Sequence, residues 1–277
     1  MQVAGFFIRF GLTLSLLLTL SACSTTTNTG AVGIEREQML LVSQNQMTQG
    51  AQKAYAEVLK EAEKEDQLNT DPERVAQLRA IAKRLIPHTN IYRKDAPDWQ
   101  WEVNYIDADQ LNAWCMPGGK IAFYSGIIDT LKLTEDEIAA IMGHEMAHAL
   151  REHGRERASQ AMLGQVGLAA LQILGGVEGA ALDASNMVVK TTFILPNSRT
   201  HEIEADRMGV ELAARAGFDP YGAVRVWEKM LKLSKEAPPE FLSTHPSHKN
   251  RIQDLKKYAQ RVMPLYQKAQ SVSKPTH

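Results

Sequence analysis

Residues 141–153 read IMGHEMAHALREH, and within them His144, Glu145 and His148 spell H-E-x-x-H. Residues four apart on a helix share a face, with Cβ atoms roughly 5–6 Å apart, so both imidazoles can reach one metal ion. Glu145 is turned about 100° from His144, which suits a water beside the metal better than the metal itself. These are the parts of zinc-assisted hydrolysis. Zinc lowers the pKa of water toward about 7 and polarises a carbonyl, while Glu145 takes the water's proton and passes it to the departing nitrogen. A zinc held by two His needs a third ligand and keeps a fourth position open. The acids for that role stand in Thr200-His201-Glu202-Ile203-Glu204-Ala205-Asp206. Glu202 and Asp206 are four apart and share a face, whereas Glu204 lies about 200° from Glu202 and should point away. Glu202 is therefore the expected third ligand. Asp206, one turn on, could accept the second N–H of a ligating His or donate a proton to the leaving amine.

The elements that must position these groups are also visible. Thr134 and Glu137 form a Thr-x-x-Glu capping box at the start of the H-E-x-x-H helix. Ile138, Ile141, Met142, Ala147 and Leu150 give it an apolar face to bury. The helical pattern continues past His153-Gly154 to Gln160. On one continuous helix His153 turns opposite to His144, so it is expected to bond the helix C-terminus or neighbouring backbone instead of a metal. Trp101, Val103 and Tyr105 alternate with polar residues as a half-buried strand, and residues 120–125 form a second one after Pro117-Gly118-Gly119. A strand beside a metal site can hold an extended peptide through its free backbone groups. Asn112, Pro117, Gly118 and Gly119 are the candidates for that surface, the alternative being a hairpin that only covers the core. Residues 161–195 are apolar but broken by glycines, Glu178 and Asp183, which argues against a bilayer span. Two short helices are expected there, as a lid with glycine hinges or as ordinary core.

The chain of 277 residues carries a formal charge of −1, which suits one globular domain with extensions and makes nucleic acid an unlikely partner. Arg9 precedes an apolar run at residues 10–20, too short for a typical spanning helix and ending at small residues as a secretory signal does. Leu20-Ser21-Ala22-Cys23 resembles the bacterial lipobox, which implies cleavage before Cys23 and a lipid anchor on its thiol. Ser24 resembles lipoproteins sent to the outer membrane. The alternative is an ordinary signal peptide with an incidental Cys. Cys115, the only other cysteine, would then lack a partner and reads as a small buried apolar residue. Residues 24–33, rich in Ser, Thr, Asn and Gly, read as a flexible tether. Helices without chemistry are expected over residues 34–66 and, capped by Asp71 with Pro72 in its first turn, over residues 72–85. A further helix covers residues 221–233, and the end beyond Met263-Pro264 reads as polar and frayed.

H-E-x-x-H, the E-x-x-x-D of Glu202 and Asp206, the NAWCMPGG turn and a later His-Pro segment together resemble metallopeptidase family 48, the HtpX-like and CAAX-protease-type gluzincins. The chain is most similar to their soluble bacterial lipoprotein branch. The resemblance implies an α+β, mainly helical, zincin-like domain with a small antiparallel sheet beside the H-E-x-x-H helix. It implies one Zn2+ held by His144, His148 and Glu202, Glu145 as catalytic acid and base, and Asp206 as proton donor. It also implies peptide-bond hydrolysis in quality control of envelope proteins. In the family pattern His-Pro-x-x-x-x-Arg, matched by His245, Pro246 and Arg251, the His lies near the zinc. His245 would then block the open position at rest or stabilise the oxyanion, and the first is the working expectation. The resulting division is a signal peptide at 1–22, a lipidated tether at 23–33, N-terminal helices at 34–87, the metallopeptidase domain at 88–263 and a tail at 264–277. The chain would face the periplasm from the outer membrane and take extended polypeptide; the oligomeric state is open. The rival reading is a non-catalytic, chaperone-like envelope lipoprotein whose zinc is structural.

Overall fold

A computed structural model describes residues 23–173, 183–233, 241–246 and 250–273. The apolar run expected as a signal lies outside them. Two two-residue strands, β1 (Cys23–Ser24) and β2 (Gln38–Met39), pair antiparallel. The stretch between them was expected to be a flexible tether and is instead laid on the body of the protein. Thr27, Val32 and Ile34 are buried, and Thr26 Oγ1 donates to the Arg151 carbonyl at 3.1 Å. Its hydroxyls, which suggest solvation by composition, serve as partners for a buried arginine.

Helix α1 is Gln44–Lys64, shorter than expected because Ser43 caps it with a full Ser-x-x-Gln capping box, a contact of about 1 kcal/mol. Helix α2, Pro72–Leu85, starts at the cap and proline read from the sequence, with Asp71 accepting from Glu73 and Arg74 N–H. Strands β3 (Glu102–Ile106), β4 (Ala113–Met116) and β5 (Lys120–Tyr124) form one sheet in the order β3-β5-β4. The expected antiparallel sheet is mixed: β4 turns back antiparallel onto β5 through Pro117-Gly118-Gly119, while β3 pairs with β5 in parallel. Gly118 and Gly119 have φ of 83° and 85°, which glycine adopts without a Cβ clash. Period-two alternation identifies strands but carries no direction, and β4, four residues without a polar alternation, is not read as a strand from the sequence at all.

Helix α3 (Ser125–Thr130) leads into α4 (Glu135–Leu150), whose Thr134/Glu137 capping box forms as expected. Every residue from Glu137 to Leu150 is buried. The helix then stops. Glu152 takes a left-handed φ of 54°, its carboxylate held by Arg93 and Arg155, and a new helix α5 runs over His153–Ile173. Two short helices were expected beyond residue 160. The first part is instead the continuation of α5, followed by α6 (Ala184–Val189) and a π turn at Lys190–Ile194, with residues 174–182 outside the described set. The remaining helices are α7 (Arg199–Arg215), α8 (Gly222–Leu233), α9 (Phe241–Thr244) and α10 (Arg251–Ser273). The end expected to fray is helical to Ser273, with Pro264 inside α10. Among the described residues no helix is long and apolar enough to cross a membrane.

One packing contact sets the geometry of the site. Helices α4 and α7 cross at Gly143 and Gly209, where a Cβ on Gly209 would lie 2.7 Å from the His144 backbone nitrogen. Only a pair of glycines lets the two backbones approach this closely, and that approach brings Glu202 of α7 to the imidazoles of α4.

Candidate metal centre and catalytic cleft

His144, Glu145, His148 and Glu202 are all buried. His144 Nε2 and His148 Nε2 lie 3.0 Å apart. Glu202 places Oε1 3.3 Å from His148 Nε2 and Oε2 3.5 Å from His144 Nε2. His245 follows α9, a turn fastened by Asn197 N–H donating to the Thr244 carbonyl at 2.9 Å. It brings Nδ1 to 3.2 Å from His144 Nε2 and 3.1 Å from Glu202 Oε1, with its ring stacked on Phe241. One ligand atom from each of His144, His148, Glu202 and His245 fits within 4.8 Å of the others.

The cluster fits a zinc ion. Three imidazole nitrogens and a carboxylate oxygen are zinc donors, and Glu202 Oε2 is buried without a hydrogen bond among the described residues. Arg251 Nη1 stands 2.8 Å from that oxygen as an ion pair. Arg251 thus compensates that oxygen from one side, and the fit to zinc rests on the donor set, four ligand atoms of zinc-binding type converging within 4.8 Å.

Each group's charge follows from its neighbours. Burial alone would lower the pKa of His144, but hydrogen bonds to Asp206 and Glu202 outweigh it and raise the value to about 9. Burial holds His148 well below the ordinary imidazole value, and Glu202 offsets this only in part. Burial raises Glu145 above the usual carboxylate range, with His245 and His144 pulling the other way. Burial would do the same to Glu202, yet the charges of His245 and Arg251 hold it well below.

Asp206 accepts from His144 Nδ1 at 3.0 Å and from Arg251 Nη2 at 2.7 Å, and Arg251 is itself packed over Trp227. Of the two roles weighed for Asp206, this position matches the outer partner of a ligating imidazole. Asp206 lines a smaller pocket with His144 and Trp227, on the other side of His144 from the cavity beside Glu145. Arg251 joins Glu202 and Asp206 of α7 at once.

His153 departs from expectation. With α4 ended at Leu150 and the chain turned by Glu152, His153 faces back toward the site, its Nδ1 2.8 Å from His148 Nδ1 and its Nε2 2.9 Å from Glu204 Oε2. It is the outer partner of His148, as Asp206 is of His144. Glu204 does point away from the ligand cluster, but into this buried layer instead of solvent. His201 stacks on His153 with ring centroids 4.4 Å apart. The acids of α7 are legible as a cluster; the second layer behind His148 is not, because it depends on where α4 stops.

A cavity of about 380 Å3 opens beside Glu145, His148 and His245, and Asn112, Trp114, Pro117 and Gly118 also line it. Gly119 is not part of that lining; a Cβ there would strike the Trp101 ring. Strand β4 is the edge of its sheet, pairing with β5 alone among the described strands, and it packs along α4. The backbone of β1 includes Cys23, paired with Met39.

The sequence profile of Peptidase family M48 matches residues 72–259, a span that contains every residue of the cluster. The chain is similar to the mitochondrial metalloendopeptidase OMA1 of Arabidopsis thaliana, 38% identical over 54% of this chain and 30% of that protein. It is 33% identical to the mitochondrial metalloendopeptidase OMA1 of Schizosaccharomyces pombe over 75% of this chain and 59% of that one. To the beta-barrel assembly-enhancing protease of Escherichia coli K12 it is 25% identical, over 72% of this chain and 41% of the relative. The chain thus spans less than two thirds of the length of each of these relatives.

Proposed function

The chain belongs to peptidase family M48, and from that premise we propose that it is a zinc-dependent endopeptidase cleaving extended segments of misfolded or unassembled proteins in the bacterial cell envelope. The observation that carries this reading is Glu145. It sits beside two imidazoles and a buried carboxylate, at the wall of an open cavity, and its Oε1 has no hydrogen bond among the described residues. His144, His148 and Glu202 would hold the metal. Bound zinc supplies Lewis acidity that polarises the scissile carbonyl and acidifies water.

The chain's own residues do the rest. Glu145, its pKa raised by burial, accepts a proton from water and delivers it to the departing nitrogen, a task suited to a carboxylate less acidic than usual. Asp206 and His153 fix the two imidazole rings. The edge of β4 that faces away from β5 would offer backbone N–H and C=O groups to an extended peptide entering the cavity, with Asn112 just before its start. His245 supports a resting state in which the remaining position near the zinc is covered, since its Nδ1 already lies among the ligand atoms.

Purified protein should cleave a casein-type substrate, lose that activity to a chelator and regain it with zinc. Glu145→Gln should keep zinc and lose cleavage by about 10²–10⁴-fold. Full activity in that variant removes Glu145 from the mechanism. Zinc retained in a wild-type chain that never cleaves would favour the structural-zinc chaperone reading, which the position of His245 also suits.

For location, the lipobox-like residues 20–23 support a lipid anchor facing the periplasm from the outer membrane, and a bacterial relative is named for β-barrel assembly. The mature N-terminal peptide should begin at Cys23 and carry lipid on its thiol, read as an added mass; an unmodified Cys23 refutes the anchor.

A further inference from the structure

Residues 24–42 precede the family match, yet they complete the layer behind His148. Arg36, just before β2, reaches between two buried acids. Its Nε and Nη2 are each 3.0 Å from the two oxygens of Glu204, and its Nη1 and Nη2 are 2.7 and 2.8 Å from those of Glu156. A guanidinium fork satisfies two carboxylates at once in a way an ammonium cannot. Gln38 Nε2 fastens the same segment, donating to Glu156 at 2.8 Å and to the Arg151 carbonyl at 2.7 Å.

The hydrogen positions behind His148 are dictated by its task. A neutral His148 can offer the Nε2 lone pair to a metal only with its hydrogen on Nδ1. Nδ1–H then donates to His153 Nδ1, which places the hydrogen of His153 on Nε2, directed at Glu204. The chain of contacts admits one consistent assignment, and it ends on a carboxylate that Arg36 holds in bidentate geometry. Arg151, the other cation near Glu204, is more distant, at 3.4 Å.

We propose that Arg36 is a positioning residue of the metal centre: by fixing Glu204 it fixes His153, and through His153 the nitrogen that His148 presents to zinc. The inference rests on His148 being a zinc ligand. It makes the segment that follows Cys23 part of the active site, so a displacement of that segment from the body would loosen the metal.

The test is zinc affinity of the full chain by chelator competition, together with the ¹⁵N shifts of His148 in metal-free protein. Arg36→Ala should weaken zinc by about 10–100-fold, the usual effect of losing an outer partner. At saturating zinc, kcat and KM should return to wild-type values. Metal-free wild type should show His148 with its hydrogen on Nδ1, and the variant a mixture of tautomers. Val32→Ala is the control, because Val32 lies in the same segment, is buried in the core and bonds through its backbone to Glu211, neither of the acids that Arg36 holds. It should lower the melting temperature and leave zinc affinity unchanged. If Arg36→Ala does not fold, Arg36→Lys keeps a charge without the fork and should still weaken zinc. Unchanged affinity in the folded Arg36 variant, or an equal loss in Val32→Ala, overturns the positioning role alone. A wild-type chain that takes up no zinc overturns it together with the metal reading.

Discussion

On the core side of the ligand cluster, each Nδ1 of the two α4 imidazoles has a partner. His144 meets Asp206 at 3.0 Å and His148 meets His153 at 2.8 Å, and those partners are held in turn by Arg251 and Glu204. On the cavity side the contacts thin out. Glu145 Oε1 has no hydrogen bond among the described residues, and His245 Nε2 stands 3.5 Å from it. The two sides divide the labour of a metal enzyme: the two Nδ1 atoms that set the ring orientations are each tied to an outer partner, and the carboxylate oxygen that must change protonation is left with capacity. Polar networks with paired members rigidify a site, and a poised carboxylate needs the opposite.

The sharpest way to break the fixed side is to part α4 from α7. Gly209→Ala would place a Cβ 2.7 Å from the His144 backbone nitrogen and 2.9 Å from Gly143 C, contacts that no side-chain rotation relieves. The expected cost is about 1–3 kcal/mol of stability. Because misplacement of a catalytic group by 1 Å can cost about 10²-fold, activity should fall more than stability does. Thermal unfolding and zinc titration of the same variant check this. A stable variant with unchanged zinc affinity would mean that the glycine contact does not set the spacing of Glu202.

That contact also shows which parts of the site are readable from the chain. His144 with His148, and Glu202 with Asp206, are legible because a spacing of four converts directly into a shared face, and Glu145 is legible through the H-E-x-x-H motif that contains it. His245 and Arg251 are separated from α4 by about a hundred positions, and only the resemblance of the His-Pro segment to a known family points to them. His153 was misplaced for one local reason: a glutamate at φ 54° ends α4 where a helix-compatible sequence gives no stop signal, and the turn reverses the direction of the side chain. Glu204 was rotated away from the ligands as geometry required, but α7 is buried on both faces, which one-face reasoning does not foresee. Gly143 and Gly209 carry no pattern in sequence; their meaning appears only as a distance between helices.

The cavity side is tested by a smaller change. His245→Ala removes an imidazole that lies among the ligand atoms at 3.1–3.2 Å from Glu202 and His144. If His245 covers the open position at rest, the variant should cleave faster and with a shorter lag, by a few-fold, about 1 kcal/mol in barrier. Activity lost with zinc retained would instead make His245 a stabiliser of the oxyanion.

The smallest effect separates the two α4 imidazoles themselves. In metal-free protein His144 is held by two acids and its pKa is raised to about 9, whereas His148, backed by a neutral imidazole, is pushed well below the ordinary value. At pH 7 the first therefore carries a proton that zinc must displace and the second does not, because zinc binds only the neutral ring. Binding at pH 7 should release about one proton from the pair, and apparent affinity should rise by about tenfold, or 1.4 kcal/mol, per pH unit up to about 9 before levelling. Calorimetry in two buffers of different ionisation enthalpy reads the proton directly. Asp206→Asn removes the hydrogen bond that raises His144 most, so the levelling point should move to lower pH in that variant while His148 stays unaffected. A titration with no proton released, or a levelling point that ignores Asp206, would show that the two imidazoles are held alike and that the contrast between their outer partners has no chemical consequence.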